Sequence, residues 1–90
     1  MKRILIILYL ILFTNHLSAE IIKKIQITGN DRVSDETVKV YGDISINQNI
    51  DNIKINKIIK SLYSTNFFED IQVSVSNNTL FIKLIEYPVI

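Results

Sequence analysis

Glu69 and Asp70 come nearest, by residue type and spacing, to active-site chemistry. Adjacent acids can hold a metal ion or pass a proton. Along a strand, however, neighbouring side chains point to opposite faces, so this pair does not converge on one site. Both read as solvated charges. Nucleophilic catalysis fares no better. The single histidine, His16, lies in an N-terminal segment that reads as a leader, and there is no cysteine. A serine with no base to activate it is a poor nucleophile. The lack of thiols also excludes a disulfide framework, a thiolate metal site and lipid attachment through an N-terminal cysteine. Gly29-Asn30-Asp31 holds one glycine in a turn, too little for a phosphate cradle. Asn77-Asn78-Thr79 fits the glycosylation sequon, but a hairpin turn explains it better. No acidic spacing resembles a calcium loop. The chain therefore reads as a binding or scaffolding module, not an enzyme, with no cofactor. The chemistry left to it is main-chain hydrogen bonding.

That chemistry needs a strand with an open side, and the region from Asp51 to Glu86 supplies one. Ile55, Ile58, Ile59, Leu62 and Tyr63 recur at the spacing of one helix face, with Lys54, Lys57, Lys60 and Ser61 opposite. Asp51 is the helix cap, and Ile50 with Ile55 has the spacing of a hydrophobic staple. Ser64-Thr65-Asn66 ends the helix, and Phe67-Phe68 follows. Ile71, Val73 and Val75 then alternate with Gln72, Ser74 and Ser76, the period of a half-buried strand. Asn77 and Asn78 tolerate positive φ, as a two-residue hairpin loop requires. Thr79 to Glu86 is a more apolar strand. Leu80, Ile82 and Leu84 line one face, and Phe81 and Ile85 add apolar surface to the other. A strand apolar on both faces suits the centre of a sheet, while the cleaner alternation of residues 71–76 suits an edge. Pro88 marks the end of the last strand.

Upstream, Ile21 to Thr28 reads as one strand with Ile21, Ile25 and Ile27 on a common face. Ser34 caps a short helix whose Asp35 and Glu36 complement its dipole. That helix stops at Gly42, with Val33, Val38 and Tyr41 facing the core. Ile44 and Ile46 sit in the following loop, against the sheet. The order is strand, helix, helix, strand, strand, an α+β domain with two helices on one face of a three-stranded sheet.

Residues 1–19 have the layout of a secretory signal peptide. Lys2 and Arg3 are followed by an apolar run from Ile4 to Phe13, and Leu17-Ser18-Ala19 places cleavage between Ala19 and Glu20. The run is about half the roughly 20 apolar residues a membrane-spanning helix needs. Ten basic and nine acidic residues give a net charge of +1, and removing Lys2 and Arg3 leaves eight against nine, or −1. No basic patch calls for nucleic acid.

Four segments, in order, carry a family resemblance. They are Ile25-Gln26-Ile27-Thr28-Gly29-Asn30-Asp31-Arg32-Val33, then Ser34-Asp35-Glu36-Thr37-Val38, then the run from Ile58 to Val73, and last Leu80 to Ile90 with its Glu-x-Pro junction. The third is the most specific, a helix ending in Leu62-Tyr63, a short turn, Phe67-Phe68-Glu69-Asp70 and a valine-bearing strand. Together they resemble the first POTRA domain of the BamA family of bacterial outer-membrane assembly factors, preceded by its signal peptide. The resemblance implies a POTRA-like β-α-α-β-β fold over residues 20–90 with a mixed sheet, and residues 88–90 beginning the junction to a further POTRA domain. It implies an exported, periplasmic domain of an outer-membrane protein whose full-length form adds further POTRA domains and a β-barrel. The expected partners are unfolded outer-membrane β-barrel proteins, a periplasmic chaperone and assembly-machine lipoproteins. Their expected binding site is the edge strand formed by Asp70, Ile71, Gln72, Val73, Ser74, Val75 and Ser76, which would accept a partner strand by β-augmentation. Two readings stay open beside it. One is a POTRA domain of a translocation-and-assembly factor, a two-partner secretion transporter or a division protein. The other is a free-standing periplasmic adaptor.

Overall fold

A computed structural model of the protein describes residues 19–88. The expected leader lies outside the described residues except for Ala19, and so do Val89 and Ile90.

The order of elements is β1 (Glu20–Ile21), β2 (Lys24–Thr28), α1 (Asp35–Gly42), β3 (Asn49–Ile50), α2 (Asn52–Tyr63), β4 (Phe68–Ser76) and β5 (Thr79–Glu86). The main sheet has the order β2-β5-β4. Parallel pairing joins β2 to β5, and antiparallel pairing joins β4 to β5. The apolar strand β5 is therefore central and β4 is an edge, as their patterns predict. Leu80, Ile82 and Leu84 of β5 and Ile71 of β4 are buried, with Ile25, Ile27, Val73 and Val75 half-buried around them. Val38 of α1 and Ile58 and Leu62 of α2 close over that face, and each is fully buried. The other face carries Phe81, Lys83 and Ile85, all exposed.

Both helix starts follow from their caps. The Ser34 hydroxyl accepts the Thr37 N–H at 3.2 Å, and an Asp51 carboxylate oxygen accepts the Lys54 N–H at 2.8 Å. Each satisfies one of the donors that a helix start leaves without an internal partner.

Four expectations need correction. Ile21 to Thr28 is not one strand. The chain bends at Ile22–Lys23, so Ile22 is fully buried and Ile21 is 47% exposed. The bend has identifiable ties. The Ile22 N–H donates to the Gln48 carbonyl and its own carbonyl accepts the Asn47 N–H, while the Lys23 and Lys24 N–H groups share the Asn78 carbonyl. The stop of α1 falls at Gly42 as expected, but its geometry differs. Gly42 is its last residue, and the left-handed position falls on Asp43 at φ 53°. Gly42 instead packs close to Ile44, and a Cβ there would lie 2.7 Å from the end of that side chain, which would have to shift. Tyr41 is half exposed, its ring edge-on to Phe67, and Ile46 is exposed too, leaving Val38 and Ile44 as the buried apolar side chains there. Last, Lys54 is not freely solvated. Its ammonium donates to the Asp43 carbonyl at 2.9 Å.

Candidate partner-binding edge

The hairpin turn decides which main-chain groups of β4 are open. Asn77 and Asn78 both have positive φ, 50° and 60°, the geometry of a two-residue type I′ loop. Such a loop is closed by a hydrogen-bonded pair, here Ser76 opposite Thr79. In an antiparallel ladder the pairs alternate, so Ser74, Gln72 and Asp70 also bond inward to β5. Ile71, Val73 and Val75 therefore turn their N–H and C=O groups outward. Their side chains meanwhile pack toward the helices, so the edge is anchored by apolar contacts and polar on its outer face. Among the described residues, no other strand pairs with β4 on that side.

The edge begins irregularly. Phe68 pairs with Glu86 and Asp70 with Ile85, so Glu69 is an extra residue in a β-bulge. Phe68 and Ile71 are three apart and would face opposite ways in a regular strand, yet both are buried. The bulge is what lets them share the core face. It also undoes the simple alternation expected of Glu69 and Asp70. Glu69 is exposed, whereas Asp70 is half-buried and accepts from Gln72 Nε2 at 3.4 Å and from the Tyr63 hydroxyl at 3.5 Å.

Tyr63 was expected on the apolar face of its helix, but the residue is 41% exposed. Its hydroxyl reaches β4 and accepts the Ile71 N–H at 3.2 Å. That bond independently establishes that Ile71 faces outward. Sequence periodicity could not reveal this contact, because it reports only which side of a helix is apolar. A tyrosine at the last helical turn, eight residues before Ile71, was the available signal.

At the far end of the sheet, Glu86 holds the β2–α1 loop against the exit of β5. Its carboxylate accepts the Arg32 N–H at 2.8 Å, the Val33 N–H at 3.3 Å and Arg32 Nε at 3.1 Å. The Arg32 guanidinium also donates to the Tyr87 carbonyl. These donors, the Arg32 N–H foremost, hold the Glu86 carboxyl below its ordinary pKa against a smaller opposing effect of burial. Sequence reading quoted both residues but assigned neither this role.

Of the expected site residues, Asp70 to Ser76 lie together on the open strand. Ala19 directly precedes β1, and Glu20 opens it opposite Ile50. Among the described residues, no helix is long and apolar enough to cross a membrane, which says nothing of a β-barrel. Nor, among them, do histidine, cysteine, aspartate and glutamate gather in a metal-holding group.

No protein-family model matches the chain. It is 33% identical over 69 residues to the outer membrane protein assembly factor BamA of Neisseria meningitidis serogroup B, covering 77% of this chain and 9% of that protein. To BamA of Neorickettsia risticii it is 26% identical over 82 residues, covering 91% of this chain and 11% of the relative. The chain thus spans about a tenth of the length of the curated relatives it matches. Among solved structures, it resembles BamA from Haemophilus ducreyi lacking POTRA domains 1–3, with TM-score 0.63 and 21% identity over 76% of this chain and 14% of that one. It also resembles POTRA domains 1–3 of the periplasmic domain of Omp85 from Anabaena, with TM-score 0.61 and 12% identity over 80% of this chain and 35% of that one. The structural matches carry the α+β fold with its mixed three-stranded sheet, and the sequence matches carry the kinship. In fold and in sequence, this is a POTRA domain of the BamA family.

Proposed function

We propose that this domain is a non-catalytic periplasmic module of an outer-membrane assembly machine. In this reading it binds unfolded outer-membrane β-barrel proteins, and partner proteins of the machine, by adding their strands to β4. Export of the chain, with cleavage between Ala19 and Glu20, belongs to the same proposal. So do further POTRA domains, a barrel, a chaperone and lipoproteins as its associates. One observation carries the reading. The outward N–H and C=O groups of Val73 and Val75 meet no other strand among the described residues. Unpaired edges are templates for another strand. Clients of a barrel-assembly machine are rich in alternating strands. Main-chain pairing accepts many sequences, because its hydrogen bonds do not depend on side chains.

Val73→Pro tests this reading. The Val73 N–H faces outward, so proline removes an edge donor without breaking a rung to β5. The loss of one net hydrogen bond, about 1 kcal/mol, corresponds to roughly fivefold weaker binding of an alternating strand peptide. If the variant folds and binds that peptide as tightly as the parent, the edge is not where clients bind.

A further inference from the structure

We propose that Tyr63 is a stop residue that ends the open edge at Ile71 and so limits the length over which a partner strand is received. The inference rests on the edge-pairing reading and adds to it which groups are available. Three outward residues, Ile71, Val73 and Val75, would present three N–H donors to a partner. The Tyr63 hydroxyl already takes the first of them, at 3.2 Å. An N–H has one hydrogen to give, so an incoming carbonyl must displace the hydroxyl to pair there. The hydroxyl is held from the other side as well, by its 3.5 Å contact to Asp70. Just beyond, the bulge at Glu69 shifts the register of β4 and breaks the regular repeat that a longer partner would follow. The open edge is then two donors long, Val73 and Val75, bounded by the Asn77-Asn78 turn at one end and the tyrosine at the other. A partner strand is admitted over a short stretch only. Such a site suits transient receipt of a strand, since few main-chain bonds are made and all of them can be given up again.

Tyr63 acts through position, so its test reads individual amides. The probe is a ten-residue peptide of alternating apolar and polar residues, added to the 15N-labelled 90-residue chain. Amide exchange is followed residue by residue. In the parent, the peptide slows exchange at Val73 and Val75 and leaves Ile71 unchanged. In Tyr63→Phe without peptide, the Ile71 amide alone exchanges at least threefold faster, because the ring remains but the acceptor is gone. In Tyr63→Ala, with the ring gone too, the peptide also protects Ile71 and binds roughly threefold to tenfold tighter. Protection of Ile71 in the parent complex, alongside Val73 and Val75, overturns the stop while leaving edge pairing intact. No protection at any of the three overturns both. An unchanged Ile71 exchange rate in Tyr63→Phe also overturns the role of the hydroxyl. The parent measurement stands by itself should Tyr63→Ala not fold.

Discussion

Glu86 shows how one side chain can organise a whole region of the fold. Its carboxylate accepts two backbone N–H groups from the loop before α1 and faces the Arg32 guanidinium, although its side chain is only 7% exposed. These contacts favour the charged form, so the folded-state pKa is lower than the unfolded one. A depressed carboxyl pKa contributes stability above the unfolded value, near 4.5, and loses it as pH falls through the folded value. Glu86→Gln should therefore be less stable than the parent at pH 7, with the gap narrowing below about pH 4.5. Urea melts of both proteins at pH 7 and pH 3 check this. An equal gap at both values would mean that the charge plays no part. The glutamate was visible in the sequence, but its partners were not. Arg32 lies 54 residues away, and no local pattern reports so distant a contact.

At the scale of elements, the contact between β2 and β5 depends on Gly29. Its φ is +86°, and a Cβ there would stand 1.8 Å from the Leu84 carbonyl oxygen. Gly29→Ala must both strain the backbone and push the strands apart, a loss of roughly 2–3 kcal/mol that a shifted denaturation midpoint would reveal. If the midpoint did not move, the close approach would not be needed for stability. Both helices, the hairpin and the central place of β5 were legible, because periodicity, caps and turn residues are local signals. What was illegible comes from contacts made by the backbone. The break at Ile22 arises from ties to Asn47, Gln48 and Asn78, and the bulge at Glu69 from the need to bury Phe68 and Ile71 together. The left-handed Asp43 was missed because Gly42 offered the stronger sequence signal, although Gly42 is itself the last helical residue and packs close to Ile44. The edge strand was legible as a stretch of residues. Which of its amides are open, and which one Tyr63 covers, needed the turn geometry and the hydroxyl contact.

The whole molecule is nearly neutral and has half-exposed aromatic residues at Tyr41, Phe67 and Tyr87, so the partner contacts proposed above would rest on shape and main-chain groups rather than on a charged field. The proposed periplasmic site is open to a direct check. An antibody raised against this chain should find its antigen in the outer-membrane fraction of the source cells, and antigen confined to the cytosol would refute export. The topology has a temporal consequence too. The central strand is also the last described element, and its parallel partner β2 lies 79 − 24 = 55 residues earlier at the Lys24–Thr79 pair. Closing a loop of that length costs about 3.5 kcal/mol beyond a constant, and no rung of the main sheet forms until β5 is present. A chain threaded through a narrow pore from its N-terminus thus stays slack, with its sheet unformed, until the final eight-residue strand emerges. The same strand order that leaves β4 open at the edge would, in the proposed export, delay formation of the main sheet until β5 has crossed.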